Sequence, residues 1–434
     1  MVGILLKDGR VDPAPTRSLS YHPLIAATNN GYTGIVRMLL RDTRIDPKYV
    51  GRDCLRVAVD KGYEDIVLIL LNDSRIDAPQ ARNHVFQSAI YLGYLEVIQL
   101  LLADNRIDPS AVDNQALIQA VTYSDSQIVQ LLLNDARVDP SARNNSAVIC
   151  ASRNGNTDIV RMLLCDKRVD ASVCDSQAFI EAVLNEHNEV ARVLLCDPRI
   201  NPLAQLGKAL VSAARMGNEE IVGMLLRDYR VDLSLDDGEA FIVAACNGHA
   251  EIVRMFLNES KVDPSIKNNS ALIVAADEDC KEIVRILLDD ERVDPSARDS
   301  QALIQAAFYS NNCIVRMLLN DSRVDPSAQN NAGFLCASRN GNTETVELLL
   351  NDKRVDPSTP GNQSFLQAAQ FGHNKVVRLL LKDPRVNPSV EDNAALRYAI
   401  RQGNTELFGM LLEDKRFDIV TAYDQVLIEA TRSQ

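Results

Sequence analysis

The chain has 434 residues, of which 46% are apolar, and a formal net charge of −13. That apolar share is ample for a large core, but no apolar run approaches the roughly 20 residues of a membrane-spanning helix, which predicts no membrane association. The opening residues 1–10 have too short an apolar stretch for a secretory signal peptide. The acidic balance argues against nucleic acid as a partner.

A single period organises the chain, because most positions i are matched by a similar residue at i+31. The segments NDARVDPSARNN at 134–145 and NDSRVDPSAQNN at 320–331 are two copies of one motif. The Asp of its Arg-Val-Asp-Pro core, replaced by Asn in two copies, stands at positions 12, 46, 77, 108, 139, 170, 201, 232, 263, 294, 325, 356, 387 and 418. Only the first interval, from 12 to 46, departs from the i+31 spacing. Because a fixed period outranks local signals, we predict one tandem array over 1–434 instead of several separate domains.

The parts of the predicted array follow one another in a simple order. Residues 1–23 are interpreted as an unpaired second helix and a linker. Thirteen repeats of equal length follow over 24–426, and residues 427–434 are interpreted as an unpaired first helix.

Each repeat has two helical stripes. In residues 300–330, Leu303 and Ala306 lie at helical spacing, and Ile314 and Leu318 belong to a second, stronger stripe. The repeat is therefore predicted to be a helix, a tight turn, a second helix and a return loop. Stacked repeats of this kind predict an all-α solenoid.

The tight turn carries Gly in nine of the thirteen repeats. Gly after a short helix suits the left-handed residue that closes it. Ser124, Glu186, Asp279 and Ser310 stand there in the other four repeats, which predicts either a strained left-handed residue or a distorted turn. The residue after this position, such as Asn342, is predicted to cap the second helix.

One column of the repeat is always small. Ala stands three residues after the leading apolar residue in all fourteen copies, from Ala27 to Ala430. An Ala in every copy predicts a place where two helices approach too closely for a larger side chain.

The recurring motif is predicted to be a return turn. Asp-Pro-Ser places Asp and Pro where a type I turn favours them, and the Asp side chain can accept a hydrogen bond from the backbone two residues on. Asn201 and Asn387 keep the acceptor without the charge, so hydrogen bonding is what the position needs.

The twelve Asp residues contribute −12 to the net charge, because each Arg or Lys of the motif cancels the acid before it. A calcium ladder is the alternative, but one Asp about every 10 Å beside an Arg falls short of the roughly six to eight oxygen ligands that calcium takes.

Taken together, these features resemble the ankyrin repeat over nearly the whole chain. The clearest stretch is FIVAACNGHAEIVR at 241–254, with paired Ala, a Gly-His turn and Glu-Ile-Val. The repeat is slightly shorter than the roughly 33 residues of that family, and the Thr-Pro-Leu-His opening is absent. Since the deficit falls in the return loop, we expect short return loops in place of full β-hairpin fingers.

The resemblance implies a non-catalytic scaffold that binds another protein through the concave surface and loop tips. No Walker, H-E-x-x-H or G-x-S-x-G motif occurs, so we expect no enzymatic activity, no cofactor and no metal. His187, His249 and His373 occupy the turn position where the family commonly keeps a His bonded to the backbone. The protein is expected to be monomeric.

The family recognises partners with its loop tips and the exposed end of the first helix. Aromatic and Arg side chains are the most frequent anchors of protein interfaces in general. Two patches rich in such residues, one of which includes a Leu, stand at these positions. They are Tyr91, Leu92, Tyr123 and Arg153 in one patch, and Phe308, Tyr309, Arg339 and Phe371 in the other. The alternative is that these aromatic rings only pack over the ends of helices.

A second interpretation of the function is a targeting or substrate-recognition segment, such as a ubiquitin-ligase adaptor, of a larger protein whose effector domain is absent. It is suggested by the two unpaired terminal helices, which lack the polar caps of most repeat arrays.

The nine cysteines contain no Cys-x-x-Cys pair, and Cys165 and Cys196 would lie about 10 Å apart in stacked repeats, beyond disulfide reach. Reduced thiols predict a cytoplasmic protein, with the nucleus as the alternative.

Overall fold

The computed structural model describes residues 2–8, 12–13, 22–76, 79–170, 172–199, 206–228, 230, 237–259 and 262–417. The predicted final helix at 427–434 lies outside this part of the chain. The chain divides into two compact units, residues 1–205 and 206–434.

The described secondary structure of both units is helical. The helices of the first unit are α1 Val2–Lys7, α2 Pro23–Asn29, α3 Thr33–Arg41, α4 Gly51–Asp60, α5 Glu64–Leu71, α6 Pro79–Leu92, α7 Leu95–Leu102, α8 Ala111–Thr122, α9 Ser126–Leu133, α10 Ala142–Arg153, α11 Thr157–Cys165, α12 Val173–Leu184 and α13 Asn188–Leu195. Those of the second unit are α14 Leu206–Met216, α15 Glu219–Arg227, α16 Glu239–Cys246, α17 Ala250–Asn258, α18 Ile266–Asp277, α19 Lys281–Leu288, α20 Ala297–Tyr309, α21 Asn312–Asn320, α22 Ala328–Asn340, α23 Thr343–Leu350, α24 Gln363–Gln370, α25 Asn374–Leu381, α26 Val390–Gln402 and α27 Thr405–Glu413. None of the described residues forms a strand.

Helices pair within each repeat and stack between repeats. The even-numbered helices are the first helices of the repeats and the odd-numbered ones the second, and α1 packs against the second helix α3. In each unit first helices contact first helices and second contact second, as α20 does with α18 and α22. The predicted all-α helix–turn–helix repeat with short return loops is thus confirmed for the described residues. The extent of a single array over 1–434 stays a prediction.

The core lies between the two rows of helices. Leading apolar residues such as Leu303 and Phe334 are buried, and so are the described members of the Ala column, with Ala213 and Ala306 both 0% exposed. Ala430 lies outside the described residues. Burial of the whole described column agrees with the close helix approach predicted from it.

The return turn explains why Asp or Asn recurs in the motif. The Asp325 carboxylate accepts from Ser327 N at 2.9 Å, and its carbonyl oxygen accepts from Ala328 N at 3.3 Å. The side chain of Asn387 accepts from Ser389 N in the same way at 3.0 Å. The prediction that this position needs an acceptor and not a charge is confirmed at Asn387, whereas Asn201 lies outside the described residues.

The Arg of the motif binds the preceding repeat, a role that the sequence did not indicate. The guanidinium of Arg323 pairs with Asp321 at 2.7 Å and donates to the carbonyl oxygens of Val293 at 2.9 Å and Leu288 at 3.2 Å. The Val of the motif, Val324, is buried in the core. Arg-Val-Asp-Pro therefore combines a bridge between repeats, a core residue and a turn.

A second bridge begins in a left-handed turn at the start of the first helices. In α8, Val112, Asp113 and Asn114 have φ of 56°, 52° and 58°, and the buried Asn114 side chain accepts from Asp139 N of the next repeat at 2.7 Å. The same turn opens α10, α18, α20, α22 and α26. The right-handed part of these helices therefore begins after the turn, close to the leading apolar residue.

Candidate functional site

The candidate surface starts from the tight turn that ends each first helix. Gly341 has φ of 76°, and the next residue, Asn342, donates its N–H to Ala337 O at 2.9 Å. Described turn glycines between first and second helices have positive φ throughout, as predicted. The four replacements are also left-handed, with φ of 64° at Ser124, 59° at Glu186, 55° at Asp279 and 64° at Ser310. Of the two predicted outcomes, these turns keep their shape and carry the strain.

Eight of the nine turn glycines face the residue that follows them by 32 in the next repeat, and Gly403 is the exception. Over Gly155 stands the ring of His187, whose Nε2 donates to Arg153 O at 2.9 Å, and a Cβ on Gly155 would lie 2.6 Å from Nδ1 of that ring. His249 and His373 stand over Gly217 and Gly341 in the same way. The resemblance-based expectation of a backbone-bonded His is confirmed, and the bonded backbone belongs to the preceding repeat.

The four turns without Gly are followed by Asn at that position: Asn156, Asn218, Asn311 and Asn342. Asn342 donates to the carbonyl oxygens of Ala307 at 3.1 Å and Phe308 at 3.0 Å, and makes no capping bond to its own helix. The prediction that this residue caps the second helix is therefore wrong at Asn342. It is confirmed at Asn218 and Asn404, whose side chains accept from Ile221 N at 3.1 Å and Leu407 N at 3.0 Å. A Cβ at the turn leaves little room for a ring above it, and the shorter Asn156, Asn311 and Asn342 bond to the preceding repeat instead.

The first candidate patch lies in the first unit at the ends of α6, α8 and α10. Tyr91 and Tyr123 pack edge to face with ring centroids 5.3 Å apart, and they stay 61% and 51% exposed. Leu92 beside them is also exposed. Arg153 points to Glu181, which accepts from its Nε and an NH2 group at 2.9 and 3.1 Å. The structure thus brings the two tyrosines together and commits the Arg153 guanidinium to an ion pair.

The second patch lies in the second unit at the ends of α20, α22 and α24. Phe308 and Tyr309 pack edge to face at 4.9 Å and are 42% and 54% exposed. Arg339 stands over the Phe371 ring with its guanidinium carbon 5.4 Å from the centroid, and Phe371 also stacks on His373. Each ring has an aromatic or cationic neighbour and remains partly exposed. The two alternatives, packing over helix ends and exposure to a partner, therefore do not exclude each other.

Two observations describe the metal-binding and thiol chemistry of the described residues. No group of three or more His, Cys, Asp or Glu side chains in the described ranges is placed to hold a metal ion. Burial raises the pKa of the Cys54 thiol to about 12, so this thiol stays protonated at neutral pH. Within the part of the chain that the structure describes, no helix is both long and apolar enough to cross a membrane.

Comparison with known proteins adds the family. A family model described as "Ankyrin repeats (3 copies)" matches residues 85–175, 210–299, 241–330 and 334–422, which together are more than half of the chain. The chain belongs to the ankyrin-repeat family. Ankyrin repeats are generally protein–protein interaction modules and are typically non-catalytic. A search of curated proteins found no match to this ankyrin-repeat chain.

Proposed function

We propose that this ankyrin-repeat protein is a non-catalytic scaffold that binds a partner protein through the exposed ends of its first helices and its loop tips. The observation that supports this most is the pair of edge-to-face aromatic contacts, Tyr91 with Tyr123 and Phe308 with Tyr309, whose rings stay about half exposed. Half-exposed rings held by a neighbour lose little side-chain freedom on binding, which suits them as anchors. The proposal includes a monomeric protein. It also places the protein in the cytoplasm, which the cysteine spacing supports.

Affinity purification from cell extract followed by mass spectrometry tests the proposed surface. The bait variants are Y91A/Y123A and F308A/Y309A, each of which removes one aromatic pair. The control is L68A/L412A, which truncates exposed apolar side chains on the second helices α5 and α27. We expect a partner that the wild type and the control retain and at least one aromatic variant loses.

Two results would contradict the proposal. Partners that all variants retain would remove the aromatic surface from the argument, and failure of the wild type to retain any partner would remove the scaffold function. Recovered ubiquitin-ligase subunits would favour the adaptor interpretation over a plain scaffold.

A further inference from the structure

The turn that ends α18 carries three successive acids, Asp277, Glu278 and Asp279. Asp279 pairs with Lys281 at 3.1 Å. Neither of the other two carboxylates makes a salt bridge with any described residue, and Oδ1 of Asp277 is buried without a hydrogen-bond partner. The equivalent positions of other repeats carry other chemistry, such as Arg153-Asn154 and Arg339-Asn340. Two uncompensated negative charges at this place are therefore particular to this repeat.

These acids lie next to the exposed aromatic pair of the second unit. Helix α18 packs against α20, and Asn311, two residues after Tyr309, donates its side-chain N–H to Asp277 O at 3.2 Å. Phe308 and Tyr309 occupy the same two positions of the next repeat that Asp277 and Glu278 occupy in theirs. Stacked repeats place such positions about 10 Å apart, within the reach of one Lys or Arg side chain and its neighbour.

We propose that Asp277, Glu278, Phe308 and Tyr309 form a docking surface for a basic, apolar segment of a partner protein. A Lys or Arg side chain of that segment gains charge-assisted hydrogen bonds from the two carboxylates, and the aromatic faces accept both its aliphatic stem and a neighbouring apolar side chain. This inference rests on the proposed function, which supplies the site, and adds the chemistry of the partner.

The positive charge of Arg339, on the other side of the docking surface, sets the orientation of the bound partner segment. Arg339 lies one repeat beyond Phe308 and is held over Phe371. A second basic residue of the partner is repelled there and attracted at Asp277 and Glu278. The basic end of the segment therefore lies at α18 and the apolar end at α20 and α22.

Fluorescence anisotropy with the full chain and a dye-labelled peptide, Lys-Arg-Lys-Gly-Leu-Leu-Gly-Ser, tests the docking surface. The variant D277R/E278N installs the residues that other repeats carry at these positions, and an unchanged circular dichroism spectrum and unfolding midpoint are required of it. We expect it to bind the peptide at least about 10-fold more weakly than the wild type, and the wild-type affinity to fall as salt is raised through the Debye-screening range. Equal affinity of wild type and variant would overturn the proposal.

The control variant E347K/E413Q makes the same change in net charge on the exposed second-helix residues Glu347 and Glu413. It is expected to bind the peptide as tightly as the wild type; if it binds as weakly as D277R/E278N, general attraction to an acidic chain explains the affinity and the site is overturned. Replacing Lys-Arg-Lys in the probe by Glu-Asp-Glu should abolish binding.

The two proposals fail differently. A partner that is lost by F308A/Y309A in the affinity purification but has no basic segment leaves the scaffold intact and overturns the basic docking surface. A cellular partner that all aromatic variants still retain overturns the scaffold surface, whether or not the peptide binds.

Discussion

At the scale of single residues, the Ala column gives the simplest prediction. Ala306 is 0% exposed between stacked first helices, whereas Ala26 lies exposed one residue before the column. Ala306→Leu should lower the free energy of unfolding by roughly 1–3 kcal/mol because the added carbons overpack the helix contact. Ala26→Leu is the matched control and should shift it far less. Equal shifts of the denaturation midpoints in denaturant titrations would show that the column does not mark the contact.

A His ring stands above the turn Gly at Gly155, whereas Asn stands above a turn residue that has a Cβ, as at Ser124. This difference predicts energetic coupling between the turn residue and the residue 32 positions later. Gly155→Ser should destabilise the protein by about 1–3 kcal/mol, since it adds a left-handed non-Gly residue and a Cβ 2.6 Å from His187 Nδ1. His187→Asn in the same chain should recover part of this loss, because Ser124 and Asn156 form that combination naturally with a 2.6 Å hydrogen bond.

The measurement is a double-mutant cycle by thermal or denaturant unfolding. An interaction energy of about 0.5 kcal/mol or more in favour of the double variant is expected. Strictly additive losses would show that ring and Cβ do not compete for the same space.

Some residue-scale features follow from sequence and others do not. Left-handed Gly was predictable, because Gly is the default residue after a short helix. The left-handed turn at Val112 was not, since Val and Arg are poor residues for positive φ and local preference argues against it. The one available signal was the Asn or Ser three residues before the leading apolar residue, as at Asn114 and Ser300. The sequence alone does not show that this side chain bonds to the backbone of the next repeat.

At the scale of secondary-structure elements, the Arg of the motif links successive repeats through the several N–H donors of its guanidinium group. Arg323→Lys should cost about 1 kcal/mol, because an ammonium cannot hold Asp321 and two carbonyl oxygens together, and the expected loss is small since Arg323 is 39% exposed. Arg316→Lys is the control; it replaces the guanidinium of an exposed pair with Glu344 by an ammonium that can still pair, and should cost at most a few tenths of a kcal/mol. Indistinguishable unfolding midpoints for the two variants would contradict the bridge.

Turns without Gly predict where helices open first. Ser310 carries left-handed strain of roughly 1–2 kcal/mol and Asp279 carries less, in successive repeats, and adjacent weak repeats open together. We expect residues 272–320 to exchange amide hydrogens faster than 334–412. The Ser310 hydroxyl lies 3.2 Å from Thr345 Oγ1 and offsets part of the strain, so exchange should be faster at the α18–α19 turn.

Hydrogen exchange with mass spectrometry measures this difference directly. Uniform protection over 241–412 would remove the soft segment. Binding of the basic peptide at Phe308 and Tyr309 should slow exchange in 272–320 and leave 334–412 largely unchanged.

The candidate surface was predictable as a set of positions but not as contacts. Variable residues before the turn were predicted to be exposed, and Tyr91 and Phe308 are. Whether Arg153 would face a partner or Glu181 depends on a side chain of the next repeat, and the sequence has no rule for that choice. The same holds for Arg339 over Phe371. Helical period fixes which residues share a face, whereas side-chain pairing across repeats depends on rotamers.

At the scale of the whole molecule, Asp–Arg pairs recur along both units and couple stability to pH. The Arg323 guanidinium, hydrogen-bonded to Asp321, holds the pKa of that carboxyl below its usual value, and the same pairing lowers the pKa of Asp73, Asp290 and Asp352. Arg44 lowers the pKa of Asp42 to about 2. Each pair is partly exposed and contributes little, but the contributions repeat.

A carboxyl with a lower pKa in the folded than in the unfolded chain stabilises the fold above its unfolded pKa, near 4, and this stabilisation is lost as pH falls toward the folded value. Thermal unfolding followed by circular dichroism should therefore give a nearly constant midpoint from pH 7 to about pH 5 and a steep fall between about pH 4 and pH 2. A midpoint that stays constant down to pH 2 would contradict the role of the pairs.

Repulsion among the 46 Lys and Arg residues also grows once the carboxyls are neutral, and added salt separates the two causes. Salt screens repulsion and would restore the midpoint at pH 3 if repulsion dominated. It cannot restore a carboxylate that has been protonated, so loss of the Asp–Arg pairs predicts no recovery. Because each Arg also bonds carbonyl oxygens of the preceding repeat, protonating its Asp loosens the junction between repeats. We therefore expect the acid transition to broaden as junctions open separately, and amide exchange at pH 3 to rise first where a strained turn such as Asp279 adjoins a protonated pair.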